Sequence, residues 1–177
     1  ALAWLGDLRL AAAQAVVVLL AWGLGVLVLR RPTGGATAVL VVAVMIRFAL
    51  LWTSPTLSDD LYRYLWEGRV VAEGGNPYLA APAAAIWDSW AAHDTIRASV
   101  NHPDVPSVYP PLALAIFASL SKISYSPLMV RVFVGGCDAL VAYFLARVLA
   151  ARGRTLDGAW LYALMPLGAV EAAVSGH

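Results

Sequence analysis

Apolar residues run from Leu10 to Leu29 with only Gln14 as a polar interruption. At ~1.5 Å per residue this pattern predicts a helix of ~30 Å, the thickness of a bilayer core. A secretory signal would have a shorter apolar stretch and a small-residue cleavage site. Here the run is followed by Arg30-Arg31-Pro32. Further apolar stretches predict spans at about 36–53, 107–122, 127–150 and 158–175. The third is short for a crossing, and the last contains Pro166 and Glu171. The reading is a single transmembrane domain over 1–177, all-α, in which the spans form a multi-helix bundle.

Between the second and third spans the pattern changes. Residues 54–106 hold seven acids and three arginines, together with Trp66, Trp87 and Trp90. A loop of this length is usually functional. Ser58-Asp59-Asp60 carries a helix-start signal: Ser58 suits an N-cap and the acids suit the helix dipole. Asp59 and Arg63 are spaced for an i,i+4 pair. Gly74-Gly75 supplies a stop. The spacing predicts an amphipathic helix with Tyr and Trp at interface depth, lying on the membrane. A second surface helix is expected from Pro82 to about Val100, with Ile86, Trp87, Trp90 and Ile96 able to dip into the interface. His102-Pro103-Asp104-Val105-Pro106 breaks it.

Composition sharpens the picture. The 177 residues are 61% apolar and 13% charged, against about 45–50% and 25% in soluble domains. That excludes disorder and an ordinary soluble enzyme. The net charge of +1 excludes a nucleic-acid-type basic surface. The single Cys137 excludes a disulfide framework or a cysteine zinc site. Arg30-Arg31 places the first connection in the cytoplasm and the acidic loop outside. Simple alternation then puts Arg152 and Arg154 outside, against the same rule.

Three places carry candidate chemistry. Asp59 and Asp60 follow the second span by six and seven residues, so they stand just above the apolar core. Neighbouring helical residues point ~100° apart, so one can face a site while the other caps or pairs. Either carboxylate could serve as a general base toward a hydroxyl, or both could simply complement the helix dipole. Arg47 lies within the second span, where a charge costs ~2.5–3.5 kcal/mol. It could bind an anionic lipid phosphate or snorkel to the headgroups, and Asp138 could pair with Arg131 or Arg47 inside a bundle. Glu171 and His177 flank the end of the last apolar stretch. His93, Asp94 and His102 match no zinc spacing.

Four motifs in order carry a resemblance: 58–69 (SDDLYRYLWEGR), 75–78 (GNPY), 102–111 (HPDVPSVYPP) and Glu171 to Ser175-Gly176-His177. Together they resemble the GT-C superfamily of membrane glycosyltransferases. The likeness is greatest to polyprenol-phosphate-mannose-dependent α-1,6-mannosyltransferases of actinobacteria. It covers about residues 40–177 and implies a GT-C-like bundle with a large exoplasmic loop bearing two juxtamembrane helices. The chain would be the N-terminal half of such an enzyme, in the plasma membrane.

The resemblance further implies transfer of mannose with inversion from a polyprenyl-phosphate donor to a lipid-linked glycan acceptor. Asp59 or Asp60 would be the catalytic base. Arg47, Arg63 and His177 would bind the donor phosphate. Tyr62, Trp66, Tyr78, Tyr109 and Glu171 would contact sugar or acceptor. No nucleotide diphosphate departs, so no metal or other cofactor is required in principle. Two other readings are a non-enzymatic lipid or sugar transporter or assembly subunit, and a GT-C enzyme using another polyprenyl-phosphate sugar. The concentration of acids in one loop rather than at midplane on broken helices favours surface chemistry over transport.

Overall fold

A computed structural model describes residues 35–53 and 58–176, with the isolated positions Val16 and Gly23. The expected span at 10–29 therefore lies outside the described residues but for those two, as does His177. Among the described residues there are eight α-helices and no strand. Two compact units divide the chain. One takes the described residues within 1–57 and 132–175; the other takes 58–131 and Gly176.

In the first unit, α1 spans Ala36–Leu50. Its buried stripe is Val39, Ala43 and Arg47, at i, i+4 and i+8. The two other helices of this core are α6, Pro127–Ala151, and α7, Asp157–Leu164. α6 buries Gly135, Ala139, Ala142 and Ala146, at i, i+4, i+7 and i+11. Ala159, Trp160 and Ala163 of α7 complete the core. Small residues at these positions let the helix backbones approach closely. Large apolar side chains point outward instead: Met45 and Phe48 on α1, Phe133 and Phe144 on α6, Leu161 on α7.

α6 is long and apolar enough to cross a membrane, ~37 Å at ~1.5 Å per residue. The expected span at 158–175 is broken. α7 ends at Leu164, α8 covers Pro166–Val170, and a π-helical turn covers Glu171–Ser175. The axis bends by 48° at the break. Pro166 is the cause. It offers no N–H to the preceding turn, and it forces Met165 into an extended conformation (φ −63°, ψ 116°).

The second unit is built on α2, Asp60–Ala72. It ends where Gly74 turns at φ +83° and Gly75 N–H bonds the Val70 carbonyl at 2.8 Å. Leu61, Leu65, Trp66, Gly68 and Val70 are buried, and so are Arg63 and Glu67. The helix is thus enclosed on most sides by its own unit. α5, Pro111–Ile123, packs against it. A Cβ at Gly68 would stand 2.4 Å from the Phe117 backbone, so this crossing needs glycine. Ser121 Oγ adds a hydrogen bond to the Leu65 carbonyl at 3.0 Å.

The expected surface helix over Pro82 to Val100 is not continuous. It is a 3-10 turn at Ala85–Trp87, α3 at Asp88–Ala91 and α4 at Thr95–Ala98. Two side chains explain the fragmentation. Asp94 accepts from the N–H groups of Ile96 and Arg97 and so starts a new helix. Arg97 donates to the carbonyls of Pro82, Ala84 and Ala91 and pairs with Asp88 at 2.7 Å. Those carbonyls would otherwise have called for helical partners. Trp87 and Ile96 are buried, while Ile86 and Trp90 retain exposure.

Candidate active site

The first turn of α2 presents two carboxylates in different settings. Asp59 is the N-cap residue and is exposed. Asp60 begins the helix and is half-buried. The Ser58 hydroxyl accepts from Asp60 N–H at 3.2 Å, while the N-cap position falls on Asp59, one residue after the one expected. Asp60 Oδ1 accepts a hydrogen bond from the Asn101 side-chain amide.

Asn101 stands on the segment 101–107, which lies against α2. Pro103 and Pro106 keep this segment out of helix and sheet, so its carbonyls need donors from elsewhere. Arg63 supplies them. Its Nη1 bonds the Asn101 and His102 carbonyls, both at 3.2 Å. Its Nη2 bonds those of Val105 and Pro106 at 2.6 and 3.0 Å. Its Nε bonds Glu67 Oε1 at 2.8 Å. A guanidinium has five N–H donors, and all five are used. Glu67 Oε2 accepts from the Ser107 hydroxyl. Ser107 N–H bonds the Pro77 carbonyl at 2.9 Å, and Ala83 N–H bonds that of Pro103 at 2.8 Å. His102 is held at φ 46°, a left-handed conformation unusual for a residue with a side chain. Burial pushes the Glu67 carboxyl above the usual carboxylate range, against the opposing hydrogen bond from Ser107 and the Arg63 charge.

An aromatic wall adjoins these carboxylates. The Tyr64 ring stacks on Phe117 (centroids 4.6 Å) and meets Tyr109 edge-on (5.3 Å). Burial raises the pKa of both phenols. The charge of Asp60 pushes each further in the same direction. Both therefore stay protonated at neutral pH. Tyr78 is exposed and donates its hydroxyl to the Tyr109 carbonyl.

Not every residue expected at a site is placed at this one. Arg63 meets Glu67 rather than Asp59, and it has no N–H left for a phosphate. Trp66 is 1% exposed, stacked on Trp90 (centroids 5.5 Å) with the Arg97 guanidinium over its ring. It packs in the core of this unit. Tyr62 is half-buried on α2. Arg47 belongs to the first unit. Its Nε and Nη2 bond Asp138 Oδ2 at 2.7 and 2.5 Å, and its Nη1 bonds the Ala163 carbonyl at 2.6 Å. Tyr162 donates to the other oxygen of Asp138. Arg47 is therefore an interhelical tie. Glu171 is half-buried in the π-helical turn of the same unit. His177 is outside the described residues.

A family model described as alpha-(1->6)-mannopyranosyltransferase, N-terminal domain, matches residues 4–177. The chain belongs to that family. Neither a curated protein nor a solved structure matches it. The resemblance read from the four motifs is thus to the right family. Sequence reasoning about this mannosyltransferase domain missed four residues at the α2 site: Tyr64, Glu67, Asn101 and Ser107. For two of them a signal was present. Tyr64 and Glu67 each lie four residues after a residue already singled out, Asp60 and Arg63, a spacing that puts side chains on one helix face. Asn101 and Ser107 had no local signal, because their partners lie about forty residues away in sequence.

Proposed function

We propose that this domain is part of a GT-C type mannosyltransferase embedded in the plasma membrane. The enzyme transfers mannose with inversion from a polyprenyl-phosphate donor to a lipid-linked glycan acceptor at the outer face. Family membership over 4–177 is the observation that carries the reading. The membrane setting draws support from α6 and from a core whose small residues face inward while large apolar ones face outward.

A carboxylate at the start of α2, Asp59 or Asp60, takes the proton from the acceptor hydroxyl as it attacks the anomeric carbon. The phosphate of the donor leaves from the opposite face of the sugar. Tyr62, Tyr78 and Tyr109 offer hydroxyls and ring faces to the sugar or acceptor. Arg47 and Arg63 act as internal ties, and His177 is the remaining candidate on the phosphate side.

The test uses the full-length protein in nanodiscs with radiolabelled polyprenyl-phosphate mannose and a crude lipid-linked mannan acceptor, with and without EDTA. The expected result is transfer in both conditions and its loss in Asp59→Asn or Asp60→Asn. Wild-type turnover in both variants would remove the carboxylate base. Absence of transfer with intact protein and donor would move the reading first to another polyprenyl-phosphate sugar, then to transport.

A further inference from the structure

We propose that Asn101 is a positioning residue that selects Asp60, rather than Asp59, as the reacting carboxylate. This deepens the proposed function and rests on it. Three observations lead here. First, the Asn101 amide donates to Asp60 Oδ1, whereas Asp59 is an exposed N-cap residue. A carboxylate held by a fixed donor is oriented before substrate arrives, and orientation is worth orders of magnitude in rate. Second, Asn101 is itself immobilised. Arg63 binds its carbonyl and three others of the same segment, and Glu67 fixes the far end through Ser107. Third, this apparatus is costly: a buried ion pair and a left-handed His102 are spent on one short segment. The segment carries few apolar side chains into the core, so packing does not account for it.

The Asn101 amide thus sets the rotamer of the Asp60 carboxylate toward the acceptor hydroxyl, and the proton passes to Asp60. The experiment measures kcat and KM for donor and acceptor in the full-length enzyme with radiolabelled polyprenyl-phosphate mannose. The variants are Asn101→Ala, Asn101→Asp, Asp59→Asn and Asp60→Asn. Asn101→Ala is expected to lower kcat about 10- to 100-fold with both KM values within about twofold of wild type. Asn101→Asp keeps the volume but replaces the donor with a like charge, and is expected to be at least as slow.

Recovery of turnover in Asn101→Asp would mean that the residue only fills space, and would overturn the proposal. So would wild-type kcat in Asn101→Ala alongside an inactive Asp60→Asn, which leaves the carboxylate base intact. An inactive Asp59→Asn beside an active Asp60→Asn would overturn the selection of Asp60 alone. Full turnover in both aspartate variants would overturn the base and the positioning role together.

Discussion

Arg47 and Arg63 are both more than nine-tenths buried and both bind a carboxylate, yet the rest of their hydrogen bonds go to different kinds of backbone. Arg47 joins helices. Its partners are Asp138 on α6 and the carbonyl at the C-terminal end of α7, where a helix leaves acceptors unsatisfied. Arg63 stands in for secondary structure. Its partners are four carbonyls of a segment whose prolines deny it helix and sheet. Along the sequence Arg47 sits in an apolar run and Arg63 in a stretch that also carries Asp59, Asp60 and Glu67, and neither setting names the acceptors. The comparison teaches that a buried arginine is read by its acceptors. One carboxylate and a helix end make a tie between helices, while a row of loop carbonyls makes a scaffold for whatever that loop carries.

Removing either guanidinium should break its unit badly. Arg63→Ala leaves the Glu67 carboxylate and four carbonyls without their donor, and Arg47→Ala strands Asp138. Each is expected to cost about 3–5 kcal/mol, read as a lowered unfolding temperature in detergent. Only Arg63→Ala should also open the 101–107 segment to limited proteolysis. Equal protease sensitivity in both variants would erase the distinction drawn between tie and scaffold.

Paired replacements sharpen it. Arg47→Met with Asp138→Leu removes both charges and orphans only the Tyr162 hydroxyl and one helix-end carbonyl. It should lie within about 2 kcal/mol of wild type, because a buried pair can be exchanged for apolar packing. Arg63→Met with Glu67→Leu still orphans four carbonyls and should lose about 2–4 kcal/mol. The reverse order of the two double variants would contradict the scaffold reading.

Gly68→Ala tests the support beneath the scaffold. Its Cβ would meet the Phe117 carbonyl group at 2.4 Å, so α5 must shift. The expected cost is about 1–3 kcal/mol in unfolding stability. Tolerance without any loss would mean that the crossing is looser than described.

The smallest effect is on pH dependence. The pKa of Glu67 is raised in the folded protein, chiefly by burial. Its contribution to stability is therefore full below the ordinary Glu range and declines as pH rises through the raised value. Glu67→Gln keeps acceptor and shape but has no proton to lose, so this decline should disappear from unfolding curves run from about pH 4 upward. An unchanged pH slope in the variant would show that Glu67 does not titrate in this window.

Much of the α2 site was legible along the chain. Ser58-Asp59-Asp60 marked the helix start and Gly74-Gly75 its end, because capping and left-handed turns are decided by residues next to one another. The long apolar run of α6 was legible for the same reason. The pairing of Asp59 with Arg63 was not what formed. The alternative i,i+4 partner, Glu67, lies on the buried side of α2, where an unpaired charge costs far more than an exposed one. The single helix expected over Pro82 to Val100 failed because Arg97 and Asp94 take up backbone groups that a continuous helix would need.

By itself the sequence determined the apolar character of the chain, the ends of α2 and the motif order that marks the family. Each depends on composition or on neighbours within a turn or two, where spacing alone sets geometry. Only the tertiary structure decided which arginines are spent internally, that Trp66 belongs to a core, and that Asn101 meets Asp60. Those contacts join residues up to 116 positions apart. They exist because burial compels every polar group to find a partner, and the fold, not the local pattern, determines which partner is within reach.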